Sequence, residues 1–519
     1  MSSRATNVHD SPASPAVPTA GVSVVPPRAT FIPTTPSSNR HPSAGSIHRV
    51  PPEVLMEIFQ IYVENGDTPW RLACVCVAWA KIALRTACIW RHIYITDELV
   101  EGIYDVSSWS IPGYNEALWA LGRKQVCNTQ IQMEQAIERA RSTPLDVEIC
   151  AIRGSNLHQQ AMLFHVFEQS NVSSRISRLA IIQLPYGAGA FTQLSILPNL
   201  EQFVWQEPHD AWVPFMGRLL SQSPKLLSIE VSYAVLSSLS DFDIWGNIRS
   251  LTVNYSYTDT SDSDITALDT VIPRCRSLES FKVDAYEIWP KESTSPTTCK
   301  RLLSLALNCD IEHLHLIQAT TLTWLDITEP EKDGYSEPYI NNDMRFPRLE
   351  TLLVESMDPS WIYKLELPRL RSLSINLVGN NYPNEQIYQG ITQYIDYFPA
   401  NALPTVQDAQ FIGHGSGDFF FAAVRSVPNA NRITIVQESL IGPAFWCKFV
   451  QTMDPQHSEV ICPTASVIQL GRQRHEVKAT KLYLEPSLRE LVVARQDHTT
   501  PLHSLKVYWA EEKEYIQYA

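Results

Sequence analysis

The sequence predicts an α/β fold, in which a short N-terminal helical module is followed by an irregular solenoid of alternating strands and helices. Three observations predict it. A spaced apolar triplet recurs from Ile176 to Val507, helix-like stretches lie between its copies, and the texture of the chain changes abruptly at Ile47.

Residues 1–46 are dominated by Ser, Pro, Thr and Ala and carry few large apolar side chains, too few to repay the entropy of ordering, so a flexible tail is expected. Its Ser11-Pro12 and Ser14-Pro15 steps are as consistent with chance as with phosphorylation. From Ile47 a different pattern starts. Pro51 and Pro52 preset a helix start and Glu53 suits its positive end; Val54, Leu55, Ile58, Ile61 and Tyr62 then follow at helical spacing until Asn65-Gly66-Asp67 breaks the run. A second helix is expected from Pro69, with Leu72, Val75, Cys76, Trp79, Ile82 and Ala83 on one stripe, and a third short turn should carry Ile89 and Trp90. So small a module (47–95) buries little surface alone and calls for a partner. Residues 96–140 read as a helical connector, ending in an amphipathic stretch with Ile131, Ala136, Ile137 and Ala140.

The triplet is apolar-x-x-apolar-x-apolar. Its copies are Ile176/Leu179/Ile181, Leu200/Phe203/Trp205, Leu226/Ile229/Val231, Ile248/Leu251/Val253, Leu278/Phe281/Val283, Ile311/Leu314/Leu316, Leu349/Leu352/Val354, Leu370/Leu373/Ile375, Ala430/Ile433/Ile435, Leu488/Leu491/Val493 and Leu502/Leu505/Val507. Several follow a proline, as in Pro198-Asn199-Leu200, Pro224-Lys225-Leu226, Pro347-Arg348-Leu349, Pro368-Arg369-Leu370 and Pro486-Ser487-Leu488. The starts at 176, 200, 226 and 248 keep the period of a leucine-rich repeat. One repeat cannot enclose its own apolar positions, so neighbours must stack, and 141–519 is expected to form a leucine-rich-repeat-like domain. Helical returns are expected around Phe215/Leu219/Leu220, Ile265/Leu268/Ile272, Leu302/Leu303/Leu307 and Ile387/Ile391/Tyr394/Ile395. Wide gaps between copies imply insertions, with 329–345 a surface loop and 454–478 an irregular excursion; Leu322/Leu325/Ile327 comes so soon after its predecessor that one of the two is a candidate hairpin partner.

A net charge of −14 without a local basic run argues against nucleic acid. The ten Cys form no zinc or disulfide pattern, and no stretch has the length and apolarity of a signal peptide or membrane span, so a soluble protein of the cytoplasm or nucleus is expected, its two Asn-x-Ser matches arising by chance. Gly413-His414-Gly415-Ser416-Gly417 lacks the Lys of a phosphate loop and the Gly of a nucleophile elbow, and reads as a turn before a helix at Phe419–Val424. Cys74 and Cys76 read as structural, and His313 and His315 as solvent-facing. No metal, cofactor or catalytic group is expected.

Val50-Pro51-Pro52-Glu53-Val54-Leu55-Met56-Glu57-Ile58-Phe59, then Val75-Cys76-Val77-Ala78-Trp79-Ala80-Lys81-Ile82-Ala83, then Ile89-Trp90, resembles the F-box in the form common among fungal (basidiomycete-like) proteins. Arg141 to Ile149 resembles the first repeat strand of such proteins more loosely. The resemblance implies that Pro51, Leu55, Ile58, Val75, Trp79 and Trp90 lie at or beside a surface that packs on the Skp-type adaptor of a cullin ubiquitin ligase. For Val75, Ile82 and Ala83 the core of a helical hairpin is an equal alternative. Val50 replaces the usual Leu, and Val77 and Ala78 stand where the family often has polar or basic residues. On this reading the protein is a non-catalytic substrate receptor whose repeat domain holds an unknown target protein; the alternative is a repeat scaffold that delivers nothing for degradation. Strand positions such as Gln202, Val204, Ser228, Glu230, Lys282, Arg371, Ser372 and Ser374 should line its concave face, and the acidic balance favours a target with a basic face.

Overall fold

The structure is a computed structural model that describes residues 50–64, 69–95, 125–127, 130–149, 170–183, 196–207, 213–254, 267–284, 297–308, 314, 317–329, 344–356, 359–378, 399–413, 417–437, 449, 451–453, 464–471, 477–496, 501–509 and 514–518. The chain divides into Met1–Pro51 and Pro52–Ala519, and the elements below belong to the second unit. The expected tail, His313 and His315, the helix around Ile387 to Ile395 and most of the loops at 329–345 and 454–478 lie outside the described residues.

Helix α1 (Pro52–Glu64) starts where a proline can sit without losing a hydrogen bond and has Glu53 in its first turn. Leu55, Phe59 and Val63, four residues apart, are its buried face. The single second helix expected from the stripe is two: α2 (Pro69–Val75) and α3 (Val77–Arg85). Cys76 between them is extended (φ −161°, ψ 168°), and its Sγ accepts the Trp79 backbone N–H at 3.5 Å, capping α3. Thiol capping is weak, and the break falls between two β-branched residues, Val75 and Val77, that favour extended backbone. A 3-10 turn, Ala87–Trp90, closes the module.

The rest is built on strands β1 (His92–Ile95), β2 (Gln125–Cys127), β3 (Leu145–Ile149), β4 (Ile176–Gln183), β5 (Gln202–Glu207), β6 (Ser228–Ser232), β7 (Ser250–Asn254), β8 (Ser280–Asp284), β9 (Thr297–Thr298), β10 (Ser304–Asn308), β11 (Ile317–Gln318), β12 (Trp324–Thr328), β13 (Thr351–Ser356), β14 (Ser372–Leu377), β15 (Asp408–Gly413), β16 (Arg432–Gln437), β17 (Val467–Leu470), β18 (Ser504–Trp509) and β19 (Glu514–Gln517). Among the described residues they form a 17-stranded sheet running β2, β1, β3 to β8, β10, then β12 to β19, with β9 and β11 paired apart. Every pairing in the large sheet is parallel except β18 with β19. Strand-by-strand stacking with returns between parallel strands is the solenoid predicted above, in leucine-rich-repeat-like form.

Register explains the triplet. The second and third apolar residues form two continuous buried ladders: Ile93/Ile95 face Val147/Ile149, then Leu179/Ile181, and the same pairing continues through Leu251/Val253 and Leu352/Val354 to Leu505/Val507. The first residue of several triplets, such as Leu200, Leu226, Ile248, Leu278 or Leu370, is buried in the turn before its strand. Between strands, α4 (Gln130–Arg139), α5 (Val213–Ser221), α6 (Tyr233–Leu239), α7 (Gly417–Ser426) and α8 (Val477–Gln496) supply the returns.

Four expectations change. The run Leu302/Leu303/Leu307, expected to be a helix, leads into β10 of the main sheet, whose Leu305 and Leu307 form a rung with Leu302 buried before them; Leu322/Leu325/Ile327 follows in register, so the apparent gaps on either side of 311–316 vanish, and Leu314 is buried but outside the sheet. Leu488/Leu491/Val493 belongs to α8, because i, i+3 spacing fits a helix as well as a triplet; Leu488 and Leu491 are buried and Val493 is exposed. Two repeats lack a large residue at their first or second position and escaped the pattern: Val406/Ala409/Phe411 and Ala465/Ile468/Leu470. Finally, the sheet starts at His92, inside the span assigned to the helical module, and the expected connector contains β2 as well as α4, so the boundary near 141 does not mark the first repeat.

Gly413, at the end of β15, has φ +110°, and a Cβ there would collide with the Leu377 carbonyl of β14; only glycine lets the strand end this close to its neighbour. The glycine run is thus a strand end followed by the start of α7 at Gly417, with 414–416 outside the described residues.

Candidate functional site

Inside the helical module, Phe59 packs on Trp79 with ring centroids 4.9 Å apart and planes at 54°. Trp90 is fully buried and its Nε1–H donates to the Ala83 carbonyl at 2.8 Å, tying the closing turn to α3. Thr86 Oγ1 donates to the Ile82 carbonyl at 2.8 Å at the same helix end. With this core filled, much apolar surface is left outside. Val54, Ile58 and Ile61, at i, i+4 and i+7, make an exposed stripe along α1, with Ile58 45% exposed. Val75 (60%), Val77 (73%) and Leu84 are exposed on α2 and α3.

The six residues singled out from the sequence therefore separate. Pro51, Ile58 and Val75 are on the surface, Trp79 is half-buried, and Leu55 and Trp90 are interior. Val54, Ile61, Val77 and Leu84 complete the exposed set. The signal for Val54 and Ile61 was already present: α1 is apolar on two faces, and a helix with one core to fill needs only one.

Trp90 also joins the module to the sheet. The guanidinium of Arg139 on α4 lies 5.6 Å from the centre of its ring, and β1 starts two residues later. Met133, Ala136 and Ile137 bury the inner face of α4, while Ile131, expected on that face, is exposed. On the strands, His92, Asp146 and Arg178 occupy one cross-strand row. Arg91 Nε donates to His92 Nε2 at 3.0 Å, which leaves Nδ1 to donate to Asp146 Oδ2 at 2.8 Å; Arg178 Nη1 donates to Asp146 Oδ1 at 2.8 Å. Burial alone would raise the Asp146 carboxyl, but the His92 hydrogen bond and the charge and hydrogen bond of Arg178 outweigh it and hold it below its ordinary value. A carboxyl held low stabilises the fold above its unfolded pKa of about 3.9, and that contribution is lost as pH falls through the folded value. Asp146→Asn should then cost about 2 kcal/mol at pH 7. In urea titrations the gap from wild type should shrink at pH 3; an unchanged gap would remove the ionised pair from the account.

Residues 47–96 match the F-box-like family. The matched span takes in α1, α2, α3, the 3-10 turn and β1, so the exposed apolar stripe belongs to an F-box-like module whose last strand lies in the solenoid. No curated protein matches the chain. Among solved structures, similarity is found to the complex of Rad7 and Elc1 in yeast (12% identity, 76% of this chain and 89% of that one, TM-score 0.28) and to an internalin from Listeria monocytogenes (13% identity, 69% and 86%, TM-score 0.27).

The solenoid's strand face carries Glu230, Asp284, Asp326 and Glu355 along β6 to β13, with Lys282 among them. Asn254 Nδ2 donates to Glu230 Oε1 at 3.0 Å, and Asn308 Nδ2 to Asp284 Oδ1 at 2.6 Å. Asp326 is raised by burial and by the Glu355 charge, against the pull of Lys282. Of the positions expected on this face, Gln202 and Lys282 are exposed, Ser228, Glu230, Ser372 and Ser374 half-buried, and Val204 buried; Arg371 sits just before β14, on the strand-entry edge. Cys275 and Cys299 are buried free thiols pushed up to about 12 and about 11, by burial in both cases and for Cys275 also by Cys299, so neither is poised as a nucleophile. Cys74 is exposed and Cys76 is the cap of α3. Among the described residues no group of three or more His, Cys, Asp or Glu could hold a metal ion, and no helix is long and apolar enough to cross a membrane.

Proposed function

We propose that this chain is the non-catalytic substrate receptor of a cullin ubiquitin ligase, working in the cytoplasm or nucleus. The F-box-like module docks the Skp-type adaptor, and the solenoid holds a target protein for ubiquitin transfer, supplying proximity and orientation only. The observation that carries this reading is the exposed stripe Val54, Ile58 and Ile61 with Val75, Val77 and Leu84, apolar surface of the kind that marks a protein interface, within the span that matches the F-box-like family. The test is co-elution of the full-length chain with purified Skp-type adaptor in size exclusion. A stable complex is expected; separate elution at micromolar concentration would end the proposal.

One observation favours the plain scaffold. β1 belongs to the matched module yet pairs inside the solenoid sheet, as the terminal cap of a repeat array must. If capping were the module's whole role, disrupting its exposed stripe would alter neither partners nor their abundance, whereas a receptor's target should accumulate.

A further inference from the structure

The net charge of −14 hides a local reversal on the strand-entry edge of the solenoid. Each triplet is preceded by a tight turn, and stacking aligns equivalent turn positions into rows, so basic residues more than twenty positions apart in sequence become neighbours. Pro347-Arg348, Pro368-Arg369, Pro404-Thr405 and Pro428-Asn429 are such a row before β13 to β16. One step on, Glu350, Arg371, Gln407 and Asn431 are linked rung to rung by backbone hydrogen bonds: Arg371 N–H to the Glu350 carbonyl at 2.9 Å, Gln407 N–H to Arg371 at 2.8 Å, and Asn431 N–H to Gln407 at 2.7 Å.

Between the two rows lies a cleft of about 440 Å³, lined by both of them from Arg369 and Arg371 to Asn429 and Asn431. Asn429 Nδ2 donates to the Pro404 carbonyl at 2.9 Å and fixes one wall. Glu350 is the single acid in the lining. Arg369 and Arg371 are exposed, and among the described residues neither side chain has an ion-pair or hydrogen-bond partner, whereas Arg345 and Arg432 nearby are paired with Glu366 and Asp408. Arg348, in the turn before, is exposed as well.

We infer that this cleft binds an acidic, extended segment of a partner protein, its carboxylates meeting Arg369 and Arg371 and its backbone meeting the amides of Gln407 and Asn431. Guanidinium forks match carboxylates bidentately, and unpaired forks beside amide side chains are what such a ligand requires. Four rungs at about 4.8 Å span roughly 15 Å, the reach of about five extended residues. A nucleic acid fits less well: the basic row is short, and the neighbouring strand face carries Glu230, Asp284, Asp326 and Glu355, which repel a continuing phosphate backbone. The inference rests on the solenoid being the part that holds the target, and its test is separable from that of adaptor docking.

The experiment measures fluorescence anisotropy of a labelled dodecapeptide of alternating Glu and Gly against the full-length chain, beside a single-stranded oligonucleotide of equal charge. Arg369→Glu with Arg371→Glu should weaken the peptide at least about tenfold, and the corresponding Gln pair less, while Ile58→Asp with Ile61→Asp in the F-box-like module leaves peptide binding unchanged. Both arginines are exposed, so thermal melting should match wild type; should the Glu pair misfold, the Gln pair decides. Absence of peptide binding, peptide affinity indifferent to both arginine pairs, tighter binding of the oligonucleotide, or loss of peptide binding in a folded module variant would each overturn the inference.

Discussion

Full-length chain carrying Ile58→Asp with Ile61→Asp will lose its affinity for a Skp-type adaptor by roughly 100-fold or more, while melting at the wild-type temperature. Both side chains are exposed, so the substitutions remove no core packing and leave the buried Leu55, Phe59 and Val63 face of α1 intact. At an interface the same two positions would be desolvated, and each buried carboxylate without a partner costs several kcal/mol, which exceeds the ~2.7 kcal/mol that 100-fold represents. Position matters more than residue type here. Leu55→Asp would also abolish binding, but by burying a charge in the module's core, and so would not separate contact from collapse. Isothermal titration against purified adaptor, paired with a thermal melt, checks the claim; unchanged affinity would move the docking surface off α1.

Trp90→Ala should cost about 4 kcal/mol of stability, the largest loss expected of any single change in the module. The ring is fully buried, its N–H satisfies the Ala83 carbonyl, and Arg139 of α4 stacks on its face. Removing it leaves a cavity where helical module and sheet meet, so both should loosen together. Denaturant unfolding followed by far-ultraviolet circular dichroism should show one transition at a lower midpoint. A loss below about 1 kcal/mol, or separate transitions with the solenoid unaffected, would contradict the continuity of β1 with β3.

The fold class was legible because a parallel strand advertises its buried residues at alternate positions, and Leu251/Val253 or Leu373/Ile375 do so with large side chains. Ala409 did not, since alanine is silent at a strand position held elsewhere by large apolar residues, although it is buried here. The 311–316 triplet misled because it satisfies the spacing although its one described residue, Leu314, is buried outside the sheet; the true rung, Leu305/Leu307 with Leu302 before it, was hidden by the adjacent Leu303, which made the run look helical. In the module, spacing found the helices but could not say which of two apolar faces would be inside. That choice depends on Trp79, which arrives from later in the chain to pack on Phe59, leaving Ile58 and Ile61 out. The arginine cleft was illegible for a related reason: Arg369 and Arg371 acquire Asn429 and Asn431 as neighbours only once the repeats are stacked.

The two ends of the sheet differ from its middle. Among the described residues, β2 at one end contributes three residues, too few to template a long pairing, and at the other end β19 runs against β18, offering the reverse of the strand direction used throughout. A parallel array with identical rungs at both ends would be free to add copies of itself rung upon rung, growing into filaments. Among the described residues the outermost hydrogen-bonding groups are short on one side and of opposite polarity on the other, an arrangement that disfavours such rung-upon-rung growth.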